Sequence, residues 1–352
     1  MVVTMMLKYN DVFMGGFASF LKRKNIDISV KAYLIDALGA MALGLFASLL
    51  IGVIFNTLGE KTGLDLFITI ATYSKQATGA AIGVAIAYAL HAPALVLFSE
   101  VAVGIAGNAL GGPVGALIAV VISTELGKMV SKETKLDILV TPSVAIVSGV
   151  LLSMFVGPGI MAFMDSFGHF VESMTVLHPF VMGMVISVTI GMALTLPISS
   201  AALCIAIGLS GLAGGAATAG CCAQMVGFAV MSFKENRWSG LVSQGLGTSM
   251  LQMPNIIKNP LVWIPPTLAG AITGPISTCV FRLENIPIGS GMGTCGLVGP
   301  FGIVSAMPDG GTMMWIGILL VCFVLPALLS YGFGLLFRKM KLIREGDLRI
   351  EQ

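Results

Sequence analysis

A carboxylate, a row of amides and a glycine-rich loop are the groups in this sequence with chemistry to offer. Glu100 stands in PALVLFSEVAVGIAGNALGG, an otherwise uncharged apolar run. At helical spacing Glu100, Gly104, Gly107 and Gly111 share one face, with Asn108 beside them. A carboxylate in such a run is a functional candidate. It could bind a cation, relay a proton or accept hydrogen bonds from a sugar, unless it stands at the membrane edge and faces water. The stretch GLVSQGLGTSMLQMPNIIKN (residues 240–259) places Gln244, Thr248 and Asn255 on one helix face, flanked by Gln252. Amides both donate and accept, so this neutral row suits an uncharged polyhydroxyl or amide ligand better than an ion. The competing reading is an interfacial helix with its wet face outward. Gln224, in CCAQMVGFAV, is either interhelical glue or a ligand contact.

The third feature is GSGMGTCGLVGPFG, Gly289 to Gly302. Its Gly-x-Gly-x-Gly pattern resembles a phosphate-cradling loop. Such a loop needs a strand before it, a long helix after it, and usually a lysine or ribose-binding carboxylate. Here Asn285-Ile-Pro-Ile precedes the glycines, Pro300 follows, and no lysine lies between Lys258 and Lys339. The better reading is a re-entrant segment whose N–H groups, with Ser290 and Thr294, meet a solute inside the membrane. Phosphate-loop, zincin and nucleophile-elbow motifs are absent. The six cysteines show neither CxxC nor metal-ligand spacing and read as small buried hydrophobes. No cofactor or metal is expected, and no catalytic residue.

These groups need elements to hold them, and composition says which. The chain is 56% apolar and 10% charged, and its mean hydropathy is +0.97. Soluble domains run near roughly 25% charged; a chain this apolar needs the bilayer as its solvent. A net charge of +2 without a basic footprint excludes nucleic acid as a partner. The expectation is an all-α polytopic membrane protein. Spans fall near 33–58, 77–92, 93–110, 112–128, 136–157, 176–197, 198–210 with 212–233, 260–281 and 311–338. Three runs, 93–110, 198–210 and 286–307, are too short or too glycine-rich for simple spans. Two amphipathic stretches, 61–76 and 158–175, are expected to lie at the interface. Residues 1–31 read as a cytoplasmic or interfacial N-terminal segment, 32–338 as a single permease-like domain and 339–352 as a cytoplasmic tail. Basic clusters at Lys22–Lys24, Lys128/Lys132/Lys135, Lys234/Arg237 and Arg338–Arg344 mark the cytoplasmic side. They give about ten crossings with both termini inside. Glycine-rich breaks at 104–116, 208–220 and 289–302 are candidates for irregular backbone, tolerated only inside protein or against a water-filled cavity; the alternative, equally open for 208–220, is tight helix packing through small residues. TPSVAIVSG (141–149) and PPTLAGAITG (265–274) open apolar runs in a similar way and raise a two-fold internal repeat.

Together GNALGGPVGALIAVVISTELGKMV, LSGLAGGAATAGCCAQMVGFAV, NPLVWIPPTLAGAITGPIS and GSGMGTCGLVGPFG give a pattern that resembles a membrane family related to phosphotransferase-system enzyme IIC. Some of its members are labelled perfringolysin O regulator-like. The resemblance covers roughly 33–338. It implies a permease-like, homodimeric membrane domain in which a substrate-carrying part moves against a scaffold, elevator fashion. In enzyme IIC relatives the sugar is phosphorylated by separate IIA and IIB units, and this chain holds neither. The expected function is transport of a small, polar, mostly uncharged solute such as a sugar or sugar acid. The alternatives are a membrane-embedded solute sensor, or an enzyme IIC subunit served by IIA and IIB from other chains.

Overall fold

The computed structural model describes residues 19–350, so the interfacial helix expected within 1–31 lies largely outside the described residues. Among the described residues there is no strand, only one bridge between Gly211 and Asn285. Six helices among the described residues are long and apolar enough to cross a membrane, and three shorter apolar helices, Thr78–Ala89, Pro179–Thr195 and Cys295–Ala306, accompany them, against about ten crossings expected.

The chain first folds into antiparallel helices that small residues hold at close range. α1 (Lys31–Glu60) carries two π-helical turns, Lys31–Asp36 and Phe46–Leu50. It ends where Gly63 adopts φ 71°, the left-handed stop that glycine supplies at a helix C-terminus. α2 (Asp65–Gln76) and α3 (Thr78–Ala89) then run back along α1. The stretch 61–76, expected at the interface, packs along α1. Two of its polar groups bond to α1, Lys75 Nζ donating to Asn56 Oδ1 at 2.8 Å and Ser74 Oγ to the Ser48 carbonyl at 2.8 Å, while Asp65, Thr69 and Thr72 are exposed. Its apolar residues are divided: Phe67 stacks on Phe55 with ring centroids 5.8 Å apart and Ala71 is buried against Gly52, while Leu66 and Tyr73 face outward.

α4 (Ala94–Val130) is continuous by hydrogen bonding alone. Inside it, Gly111 (φ −147°, ψ 18°) and Gly112 (φ 62°, ψ −162°) leave helical geometry, and Pro113 follows. The chain reverses there. Ser123 Oγ lies 2.7 Å from Glu100 Oε2. A Cβ at Gly107 would stand 2.7 Å from the Ala116 Cα, and one at Gly127 2.9 Å from Val96 Cγ1. Every one of these pairs is centred between Gly111 and Gly112. α4 is thus a zipped helical hairpin with arms about 25 Å long. One arm packs on α3, where a Cβ at Gly79 would meet the Gly104 carbonyl at 2.7 Å.

α5 (Asp137–Met174) is one helix of 38 residues, about 57 Å long. The amphipathic piece expected at 158–175 is its second half, and Pro158 does not break it. Gly157 sits under the hairpin tip, where a Cβ would meet the Leu110 carbonyl at 2.7 Å. The face with His169 and Glu172 is exposed.

The second half is a bundle of α6 (Pro179–Thr195), α8 (Gly211–Met231), α11 (Pro260–Phe281) and α14 (Gly311–Lys339), with the short α7 (Ser200–Ala206) after α6. Backbones touch through glycine, as in membrane bundles generally. Gly191 packs on the Gly220 carbonyl, Gly183 on that of Gly274, and Ser187 Oγ donates to the Gly270 carbonyl at 2.7 Å. Of the break expected at 208–220, only its first residues are irregular, with Gly208 and Gly211 at positive φ. The rest is buried α8 helix. It therefore differs from the hairpin turn at 104–116.

Contacts join the four basic clusters in two pairs. Arg23 and Lys24 pair with Glu133 at 3.0 and 2.5 Å, and Lys128 Nζ reaches the Asn25 carbonyl. Lys234 pairs with Glu345, and Arg338 with Glu235. Arg349 and Asp36 line one cavity, which brings the tail to the start of α1. The Lys24 hydrogen bond holds the Glu133 carboxyl below the usual range. A depressed carboxylate stabilises above its unfolded pKa and loses that contribution as pH falls through its folded one. Acid should accordingly loosen residues 23–25 from the 131–133 turn, read as faster amide exchange there below pH ~4.

Candidate functional site

Four backbone irregularities meet around one crevice of about 360 Å³. The first is the hairpin tip, where φ 62° with ψ −162° at Gly112 is a conformation open to glycine and costly for any L side chain. The second is Leu196-Pro-Ile-Ser-Ser between α6 and α7, extended at Leu196 (ψ 158°). The third is Thr248, extended between a π-turn and a 3-10 turn. The fourth is the glycine-rich loop. It forms a one-turn helix α12 (Pro287–Ser290), a turn with Gly293, Gly296 and Leu297 at positive φ, and then α13 (Val298–Ala306). A Cβ at Gly293 would stand 2.8 Å from Cys221, so the loop is pressed against α8. Ser200 Oγ donates to the Gly291 carbonyl at 2.7 Å and ties the second irregularity to the fourth.

The crevice presents Asn108, Lys75, Thr78, Ser199 and Thr248 among apolar walls that include Met292 and Cys295. A smaller chamber of about 150 Å³ continues from it beneath Gly112, Pro113 and Ser199 toward Asp165. The larger volume lies within the usual range of small-molecule sites, roughly 300–1,000 Å³. Asn108 is half-buried, and its side chain makes no hydrogen bond among the described residues. Lys75 is already bound to Asn56. The polar groups are thus mainly neutral donors and acceptors, fitted to hydroxyls or amides.

Of the residues singled out in the sequence, Asn108 and Thr248 reach this crevice. The others do not line it. Glu100 is fully buried between the hairpin arms, with Ser123 on Oε2 and no partner for Oε1. It is about 16 Å along the arm from the tip. Gln224 is interhelical glue by its bonds: Oε1 accepts from Trp263 Nε1 at 3.0 Å and Thr195 Oγ1 at 3.3 Å, and Nε2 donates to Thr267. Ser290 Oγ donates to the Leu209 carbonyl at 2.8 Å and Thr294 Oγ1 to that of Gly245 at 2.5 Å, so both hydroxyls serve the backbone.

The amide row needs a correction. Residues 240–259 are not one helix, because Gly247 and Thr248 break it. Gln244, Gln252 and Asn255 are buried and bonded to one another: Gln252 Nε2 donates to Gln244 Oε1 and Asn255 Nδ2 to Gln252 Oε1, each at 2.8 Å. Gln252 and Asn255 also donate to the C-terminal tail, at the Leu348 carbonyl (3.0 Å) and the Arg349 carbonyl (2.9 Å), while Gln244 donates to Ser232 Oγ and the Gly240 carbonyl. Asn236 and Asn259 hold the same tail. Ile343 and Leu348 are buried in the core, so the segment beyond 339 is packed against the membrane domain.

Lys75, Ser199 and Ser200 were missed. Lys75 carries no signal of its own within the amphipathic stretch 61–76. The serines sat unremarked in LPISS, where a proline and two hydroxyls interrupt an apolar run; that interruption was the available signal.

The family described as Phosphotransferase system, EIIC matches residues 35–350. No curated protein and no solved structure matches the chain.

Proposed function

Because the chain belongs to the Phosphotransferase system, EIIC family, a family of membrane permease components, we propose that it carries a small, polar, mostly uncharged solute such as a sugar or sugar acid through the crevice at the hairpin tip. The observation that carries this reading is the meeting of four irregular backbone segments around one cavity in an otherwise helical membrane chain. Irregular backbone at such depth is tolerated where it lines a cavity, and helix breaks at a central site are the usual construction of transporters. Asn108 and Thr248 contact the solute, and Lys75 orients a hydroxyl or a carboxylate. The hairpin moves against the second bundle in alternating access, elevator-like, within a homodimer. Phosphate, where it is used, comes from separate IIA and IIB chains. The four basic clusters, joined in two pairs, mark the cytoplasmic end, with both termini on that side.

Uptake into proteoliposomes, measured over a panel of sugars and sugar acids, tests this. Asn108→Leu should weaken binding of the transported solute by about twofold to tenfold, the worth of one neutral hydrogen bond. Saturating solute should slow thiol labelling of Cys295 when the other five cysteines are removed. Uptake that requires added IIA, IIB and phosphoenolpyruvate identifies the group-translocating form. Binding without uptake under any condition identifies a sensor. Binding that is indifferent to Asn108 and Cys295 removes the crevice from the mechanism.

A further inference from the structure

α8 and α14 end side by side, and beyond their last turns lies a groove of about 1010 Å³. Five cations reach it: Lys234, Arg237, Arg338, Lys341 and Arg344. Two are neutralised. Lys234 pairs with Glu345, whose carboxyl it holds below the usual range, and Arg338 pairs with Glu235 at 2.6 Å. The side chains of Arg237, Lys341 and Arg344 make no hydrogen bond or ion pair among the described residues. Arg237 and Lys341 adopt positive φ, 52° and 61°, unusual for residues with a side chain.

The groove has a second character. Its membrane-side wall is Tyr331 and Leu335, each 49% exposed on the outward face of α14. Trp238, 70% exposed, stands edge-on to Phe233 at its rim. Aromatic side chains of this kind mark the headgroup level of a bilayer. A ligand filling the groove therefore meets uncompensated positive charge at one end and apolar, lipid-facing surface at the other.

We propose that this groove binds the headgroup of an anionic phospholipid, its phosphate against Arg237, Lys341 and Arg344 and its acyl chains along Tyr331 and Leu335. Basic pockets between helices at the membrane surface bind such headgroups. Arginine offers a planar fork matched to phosphate oxygens, and lysine a point charge. The site joins the end of α14 to the tail, so bound lipid fixes residues 341–345 against α9 (Phe233–Val242).

The test is native mass spectrometry of the full-length protein released from mixed micelles. Dioleoyl phosphatidylglycerol is compared with dioleoyl phosphatidylcholine and with inorganic phosphate. The expected result is retention of phosphatidylglycerol in preference to phosphatidylcholine. The triple variant Arg237→Gln, Lys341→Gln, Arg344→Gln should bind it about a hundredfold more weakly, at about tenfold or less per cation removed. A charge-preserving variant, Arg237→Lys with Arg344→Lys, should keep most of the binding, which separates lost charge from lost fold. Equal retention of the two lipids, undiminished binding in the triple variant, or inorganic phosphate competing at equal concentration would each overturn the proposal.

Discussion

Gly112→Ala is expected to weaken solute binding roughly tenfold to a hundredfold while leaving the protein folded. A Cβ at Gly112 meets nothing within 4 Å, so the substitution creates no clash. Its whole effect comes from the backbone, because φ 62° with ψ −162° is strained for an L residue by about 1–3 kcal/mol. The tip relieves that strain by shifting, and with it Asn108 and Pro113, two parts of the crevice wall. A loss of roughly tenfold to a hundredfold in solute affinity follows if the strain falls on the binding-competent form. Gly159→Ala is the control. It too has nothing within 4 Å, lies in ordinary helix and should be silent. Equilibrium binding to the purified protein reads both. Wild-type affinity in Gly112→Ala would show that the tip has no part in recognition.

Gln252→Leu is expected to release the C-terminal tail. The change leaves Gln244 Oε1 buried without its donor, and takes one bond each from Asn255 and the Leu348 carbonyl. A buried polar group stripped of its partner costs about 1–3 kcal/mol, and the three losses together reach about 2–5 kcal/mol, a large fraction of the stability of an ordinary domain. Melting temperature should fall, and trypsin should cut faster after Lys341 and Arg344. Undisturbed melting and proteolysis combined with weakened solute binding would return the amide row to the ligand-binding role its sequence first suggested.

That contrast shows what sequence could convey. The membrane setting and the helical class follow from composition, and the reversal at Gly111-Gly112-Pro113 follows from residue types that stop a helix. In the stretch 61–76 amphipathicity does not say what each polar group meets: Lys75 and Ser74 meet Asn56 and Ser48 of α1, while Asp65 and Thr69 are exposed. The amide row misled because a periodic stripe presumes one helix, and Gly247 and Thr248 end it. The ligand of those amides is a stretch of main chain nearly a hundred residues later, which carries no side-chain signature. Ser290 and Thr294 were placed at a real irregularity, but their hydroxyls stabilise it rather than face the cavity.

The zipped hairpin of α4 bears also on how the chain is made. A lone helix with a central carboxylate partitions into lipid at a cost of about 2.5–3.5 kcal/mol. Glu100 escapes that isolation because its partner lies on the same hairpin: Ser123 arrives as soon as the second arm is synthesised. Closure around a two-glycine turn brings together only residues near in sequence, which keeps its loop entropy small. The arms therefore enter the bilayer as a pair, with the carboxylate already facing its hydroxyl. A flexible insertion within the turn would lengthen the loop at little cost. A single residue added inside one arm would turn every later side chain about 100° around the helix axis and present Glu100 to lipid before it met Ser123.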